Sequence, residues 1–315
     1  MKKILVTGSI AYDHIMFFDG LFRDSLASKD LSHLSVSFQA SKQHDYFGGC
    51  GPNIAYSLHL LEQKPVLLGV AGNDFEKYKE WLEKNDIDLS HITVSEDLAT
   101  AAAYILNDNV QNQVTIFSPG ALADTKLGLT FPKDEVQNIS LAVISPDLPV
   151  RMASLAQECI DYSIPYIFDP GQAITSLSGD YLSLITSNSL GIITNSYEAS
   201  MIEKKLNISI TKLAQKTNFF IETKGKKGCT IYEKSGNVKQ VTTVPFEDIV
   251  DSTGCGDAFR AGFLYGYTNG FELEKSCQIG NCLSSFVLDK KGTQEHHFTM
   301  QEFKERYQEM YGVSL

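Results

Sequence analysis

The chain has 315 residues, 43% hydrophobic and 21% charged, enough for one large α/β domain that needs no disulfide or metal to hold its core. A net charge of −11 excludes the broad basic face of a nucleic-acid binder, though not a local basic spot for a phosphorylated small molecule. The six cysteines form no CxxC pair and no zinc-like spacing with histidine, and no apolar run approaches the ~20 residues of a membrane span. The expectation is a cytoplasmic protein with reduced thiols, partnered by neither nucleic acid nor membrane.

In chain order, residues 3–7 are short, apolar and rich in β-branched side chains, and read as a first buried strand. The apolar run 4–6 is too short for the core of a signal peptide. Gly8-Ser9-Ile10-Ala11-Tyr12-Asp13 follows as a strand-to-loop turn. Residues 15–45 then break the rhythm, with scattered Phe, Ser and His and an alternation near Leu34-Ser35-Val36-Ser37-Phe38. Gly48-Gly49-Cys50-Gly51-Pro52-Asn53 leads into an amphipathic stretch at 54–61. Its glycines permit close backbone approach, Pro52 suits a first helical turn, and Asn53 offers a donor and an acceptor to a diol.

Residues 66–70 form the next strand candidate, and 100–118 read as two short strands around the polar turn Asn107-Asp108-Asn109. Further buried strands are expected at 141–145, 166–169, 191–194 and 219–223, with an amphipathic helix at 153–162. The alternation points to a mostly parallel sheet flanked by helices. Segments 15–45 and 100–118 are either plain surface hairpins or a small β-sheet lid over the sheet's C-terminal edge, where open α/β sheets bind ligands. The rest, 1–14, 46–99 and 119–315, is then the α/β domain that binds nucleotide and substrate.

The strongest signal is Asp251-Ser252-Thr253-Gly254-Cys255-Gly256-Asp257 running into Ala258-Phe259-Arg260-Ala261-Gly262. Apolar and small residues at helical spacing predict a helix starting near Cys255. Gly254 and Gly256 let the backbone turn tightly and aim several N–H groups at one point, a geometry that suits a phosphoryl group. Asp257 falls in the first turn. Acidic residues favour that position for the helix dipole alone. Beside an anion hole, however, a carboxylate repels phosphate, a cost that is tolerable if it takes the proton of an attacking hydroxyl. Phosphoryl transfer rests on positioning and charge neutralisation, so Asp257 reads as the base.

This segment closely resembles the second signature of the PfkB (ribokinase-like) carbohydrate kinases, and Gly48-Gly49-Cys50-Gly51-Pro52-Asn53-Ile54-Ala55 resembles the first. The resemblance covers nearly the whole chain and is closest to bacterial adenosine kinases of the ribokinase type. It implies a three-layer α/β/α domain with a β-sheet lid, and transfer of phosphate from ATP to the 5′-hydroxymethyl of adenosine. Ribose, another sugar or another ribonucleoside is the alternative acceptor. By the same resemblance Gly254, Cys255 and Gly256 form the anion hole, and Ser9, Asp13, Gly49, Asn53, Phe117 and Gln172 contact the acceptor. Thr223, Gly225 and Gly228 lie against ATP, with Asn195 and Glu198 (as Asn-x-x-Glu) organising phosphates and Mg²⁺ through water. Asp251 and Thr253 resemble a K⁺ site, and lid strands in such kinases often pair across a homodimer. Read without the family, Asn195 is simply a helix cap and the 223–228 segment a plain hairpin loop.

Two departures bear on the acceptor: an aromatic that would stack on the base is replaced near Ala103, with Tyr104 beside it, and a second glutamine after Asp169-Pro170 is Ala173. Losing a stacking ring forfeits ~1–3 kcal/mol of base affinity. Cys255 is a further departure. A helix N-terminus should lower its thiol pKa and make it reactive, the alternative being an inert buried thiol. Two rival functions stand against the kinase. A dinucleotide oxidoreductase lacks its spacing, since Val6-Thr7-Gly8-Ser9-Ile10-Ala11 is not G-x-G-x-x-G, and no Walker A pattern occurs. A non-catalytic sugar- or nucleotide-binding regulator should have lost Asp257 or its flanking glycines, which are present.

Overall fold

A computed structural model describes residues 2–25, 36–110, 112–129, 131–244 and 249–315. In chain order it runs β1 (Lys3–Thr7), β2 (Ala11–Phe18), the single turn α1 (Phe22–Ser25), β3 (Ala40–Gly48), α2 (Cys50–Leu60), β4 (Pro65–Ala71) and α3 (Glu76–Lys84). Next come β5 (Ile92–Val94), β6 (Ala101–Asn107), β7 (Gln113–Ser118), β8 (Ile139–Ile144), α4 (Pro149–Asp161), β9 (Tyr166–Phe168) and α5 (Gly179–Asn188). The last part holds β10 (Gly191–Asn195), α6 (Ser196–Leu206), α7 (Ile210–Lys216), β11 (Phe219–Thr223), β12 (Cys229–Glu233) and β13 (Val238–Val241). It ends with α8 (Cys255–Thr268), α9 (Leu273–Leu288) and α10 (Met300–Tyr311).

Among the described residues nine strands form the main sheet, in the order β13-β12-β11-β10-β9-β8-β1-β4-β5. Every neighbouring pair is parallel except β11–β12 and β12–β13. The inner parallel strands are buried on both faces, as continuous apolar runs such as Ile4-Leu5-Val6 and Leu141-Ala142-Val143-Ile144 require. One core packs β1 and β4 against α2, α3, α8 and α9, and a second fills the opposite face under α4 to α7.

The chain order reverses at β1, which has β4 on one side and β8 on the other. That is the switch point where such sheets leave a crevice at their C-terminal ends. Over it stands a four-stranded lid in the order β3-β2-β6-β7. The expected strands are present, and the predicted helices start earlier than periodicity suggested, at Cys50 and Pro149. Pro52 lies in the first turn of α2, as expected. Leu34 and Ser35 of the alternating stretch lie outside the described residues, and Val36 to Phe38 are not strand; the pairing partner of β2 is β3. Among the described residues no helix is long and apolar enough to cross a membrane.

The segment between α9 and α10 packs back on α2. Tyr56 Oη donates to the His296 carbonyl at 2.9 Å, and Ser57 Oγ lies 3.2 Å from His296 Nε2. His296 is fully buried, and burial, aided by His297, pushes its pKa from 6.5 down to about 4. A histidine buried neutral favours the fold above its unfolded pKa and opposes it as pH falls toward the folded one. That stability is therefore complete above about pH 6.5 and is lost progressively down to about pH 4. A shift of this size corresponds to ~3 kcal/mol. Urea unfolding of wild type and His296→Gln between pH 7 and 4.5 is expected to show the steeper loss in wild type. Parallel curves would remove His296 from the acid response.

Candidate active site

The head of α8 is built by a glycine that cannot be replaced cheaply. Gly254 caps the helix in the left-handed region (φ 80°), and a Cβ there would lie 2.9 Å from Thr293 Cγ2. No side chain caps this helix, so its first-turn amides and the positive dipole end face the crevice. The approach loop is tied by Asp251, whose Oδ1 accepts from Thr253 N (2.9 Å) and Oγ1 (2.8 Å), and whose Oδ2 accepts from Gly292 N (3.2 Å).

Asp257 is half-buried in that first turn, and its Oδ2 accepts a hydrogen bond from Asn53 Nδ2 at 2.8 Å. Burial pushes its carboxyl up to about 6, against the pull of Arg260 and the Asn53 hydrogen bond. One turn along the helix, the buried Arg260 guanidinium pairs with Asp169 and lies 3.8 Å from Glu198. Burial raises the pKa of both partner carboxyls, and Arg260 opposes the rise. Glu198 also closes a capping box on α6: Asn195 Oδ1 accepts from Glu198 N, while Asn195 N and Nδ2 donate to the Glu198 carboxylate at 2.8 and 2.7 Å. Asn195 is thus a helix cap and a clamp on Glu198 at once.

On one side of the turn opens a cleft of about 350 Å³, walled by Thr223, Gly225, Gly228, Val244, Ile249 and Leu288, with Cys255 and Gly256 at its head. Its apolar walls and its contact with the helix start suit a flat ring system joined to phosphate. Asp257, Asn53 and Asp13 are not among its walls. The turn at 254–256 therefore stands between the cleft and the carboxylates.

The lid supplies the other wall. Tyr46, Asp13, Ala103 and Phe117 occupy one register row across β3-β2-β6-β7, so their side chains share one face. Asp13 on that row is pushed up to about 6 by burial and then by the charge of Asp257. Ser9 and Gly49 lie beneath. Ser9 Oγ accepts from Cys50 N at 3.4 Å, and a Cβ on Gly49 (φ 93°) would fall 2.3 Å from the Ser9 carbonyl. Gln172 follows β9, with its Nε2 4.0 Å from Cys50 Sγ. Crevice, open helix head and facing carboxylates form one site at the C-terminal ends of β1, β9, β10 and β11.

A model of the pfkB family carbohydrate kinases matches residues 1–299. The chain belongs to that family. A nucleoside kinase of Methanocaldococcus jannaschii is 30% identical over 309 residues, with 97% of each chain covered. The structure of Burkholderia thailandensis nucleoside kinase in complex with inosine superposes with a TM-score of 0.85 at 31% identity, covering 99% of both chains. Thermotoga maritima ribokinase shares the fold, with a TM-score of 0.79 at 20% identity over 97% of this chain and 99% of that one. The protein is accordingly an ATP-dependent kinase on a ribokinase-like fold.

Within the kinase the geometry bears on two of the expectations. Asn53 is only 4% exposed, and its amide already engages Asp257 through Nδ2 and Gln294 through Oδ1, which leaves one N–H and one lone pair for a diol. Cys255 is no activated thiolate. Burial, with Asp251 and Asp257 nearby, pushes its thiol up to about 12, and Sγ donates to the Ser284 carbonyl at 3.8 Å. The helix end is outweighed because the thiol points into protein beside two carboxylates. Tyr104 does not replace the ring absent at Ala103, since it stands on the lid's opposite face, stacked on His14 at 4.9 Å. Arg260 and Gln294 are site members that sequence reasoning passed over. Arg260 lies inside the segment already quoted and Gln294 outside it, and the partners of both are far away in sequence. Alkylation at pH 8 with peptide mapping is expected to modify Cys255 at least ~100-fold more slowly than a free thiol. Labelling as fast as a free thiol would restore the activated-thiol reading.

Proposed function

We propose that the kinase transfers the γ-phosphoryl group of ATP to the 5′-hydroxymethyl of ribonucleosides, with Asp257 as base, and that adenosine is one acceptor among several. The observation that carries this reading is the half-buried Asp257 at the head of an uncapped helix, hydrogen-bonded by Asn53 and facing Asp13 of the lid. In this reading the amides of residues 254–256 stabilise the migrating phosphoryl, and Asp257 orients the acceptor hydroxyl and takes its proton. Asp13 accepts hydrogen bonds from ribose hydroxyls. Ser9, Gly49 and Gln172 complete the acceptor pocket, and Thr223, Gly225 and Gly228 hold ATP with Asn195.

Mg²⁺ binds mainly phosphate oxygens and water and needs few carboxylates, so Glu198, clamped by Asn195 and half neutralised by Arg260, fits an outer-sphere role. The ion would neutralise phosphate charge. A K⁺ ion beside the loop would rely on backbone carbonyls, because the oxygens of Asp251 already tie Thr253 and Gly292. Homodimer formation through the lid stays part of the proposal.

Breadth in the base is supported by the lid row. With Ala103 at its centre, the row offers an acceptor base no ring at that position, and its aromatics, Tyr46 and the 48% exposed Phe117, stand at its two ends. The relatives at about this identity point the same way: the Burkholderia enzyme is described with inosine, and the archaeal one as a nucleoside kinase.

A coupled ADP-release assay over inosine, adenosine, guanosine, cytidine and ribose tests the acceptor. Two or more nucleosides are expected to exceed ribose by at least ~10-fold in kcat/KM, and a preference for ribose would make this a sugar kinase. In the same assay Asp257→Asn is expected to lower kcat by ~10²–10⁴ while the fold survives. The acid limb of the wild-type pH profile should fall near 6, where Asp257 protonates. A mutant with near-normal turnover would take Asp257 out of the mechanism.

A further inference from the structure

A line of buried polar side chains runs from α3 to the carboxylate at the head of α8, and each link has a fixed direction. Trp81, the chain's single tryptophan, donates its indole Nε1–H to Gln294 Oε1 at 3.0 Å. An indole nitrogen can only donate, so the amide oxygen of Gln294 has to face it. The amide nitrogen then points the other way, where it donates to Asn53 Oδ1 at 2.9 Å and to the Tyr78 hydroxyl. Tyr78 gives its own proton to the Gly48 carbonyl at 2.8 Å, which leaves its oxygen free to accept. With Oδ1 so held, Asn53 can only present Nδ2 to Asp257.

Amide oxygen and nitrogen are close in size, so an Asn or Gln side chain turns over at little steric cost. A donor-only group at the far end removes that freedom. Gln294, Asn53 and Tyr78 are all buried, which keeps water from replacing a missing link. We infer that Trp81 and Gln294 are positioning residues for phosphoryl transfer: the indole sets the polarity of the chain Trp81–Gln294–Asn53–Asp257, which keeps an N–H, never a carbonyl, against the base. The inference rests on the reading of Asp257 as that base.

The local charges explain why direction matters. Asp257 is faced by Arg260 from its own helix, Asp169 beyond β9, Glu198 at the start of α6, Asp13 from β2, and the Cys50 thiol beside Asn53 on α2. Arg260 is the sole cation in that company, and it is already paired with Asp169. A reversed Asn53 would set its carbonyl against the carboxylate, which could meet it only by holding a proton. A protonated Asp257 cannot accept the proton of an acceptor hydroxyl.

The test compares Gln294→Met and Trp81→Phe with Asp257→Asn in the coupled assay across pH. Gln294→Met keeps the volume and removes both polar groups. It is expected to lower kcat ~10-fold, to raise the acid limb by about 1 pH unit and to leave KM for ATP within about twofold. Trp81→Phe should shift the limb in the same direction by a smaller amount. The lone indole ¹H–¹⁵N resonance should move in Gln294→Met while the rest of the spectrum keeps its dispersion, which separates a lost link from a lost fold. A folded Gln294→Met with the wild-type limb and kcat, alongside an inactive Asp257→Asn, overturns the inference and leaves the base assignment standing. An active Asp257→Asn overturns both. If Gln294→Met does not fold, an unshifted limb in Trp81→Phe is enough to reject it.

Discussion

A single buried guanidinium governs how much negative charge can gather at the sheet's edge. Asp169, Glu198 and Asp257 come from three distant parts of the chain, and Arg260 is the cation that faces them all. Each carboxylate alone would be driven to its neutral form by burial, and together they would repel one another. Arg260 offsets both effects and stands one helical turn from the uncapped amides at the head of α8. Its ion pair with Asp169 also fixes the segment bearing Gln172, and its approach to Glu198 adds to the clamp made by Asn195. The loop after β9, the start of α6 and the head of α8 are thereby held to one frame.

The remaining architecture serves that frame by keeping two spaces apart. The apolar cleft ends at Gly256, and the carboxylates Asp257 and Asp13 gather beyond the same turn. Between the two stands the head of α8, where backbone amides with no side-chain cap face the crevice. Backbone donors need no reorganisation as charge develops.

Much of this was readable from the sequence where the chemistry is local. The helix start near Cys255, the glycine requirement at Gly254, the first turn holding Pro52, and the paired strands either side of Asn107-Asp108-Asn109 each depend on neighbours a few residues away. The parallel strands announced themselves as short apolar runs. What escaped was set by distant partners. Arg260 meets Asp169 across 91 residues and Gln294 meets Asn53 across 241, so neither contact leaves a periodic or compositional trace. Cys255 was left open between a reactive and an inert thiol for a related reason. Its helix position was visible, but the depth of its thiol and the two carboxylates beside it were not.

The root of the lid carries a last consequence. Only Gly8, Ser9 and Ile10 separate β1 from β2, Ile10 is fully buried, and Ser9 N donates to the Pro146 carbonyl at 2.8 Å. Nearby, Tyr12 donates to the Asp74 carbonyl, Tyr78 to that of Gly48 and Thr293 to that of Phe47, while Thr100 N is held by Asp74. A sheet pinned so firmly where it leaves the core has no hinge there. Asp13 and Phe117, on one register row close to that root, are therefore placed by the core itself rather than by the lid's distal half.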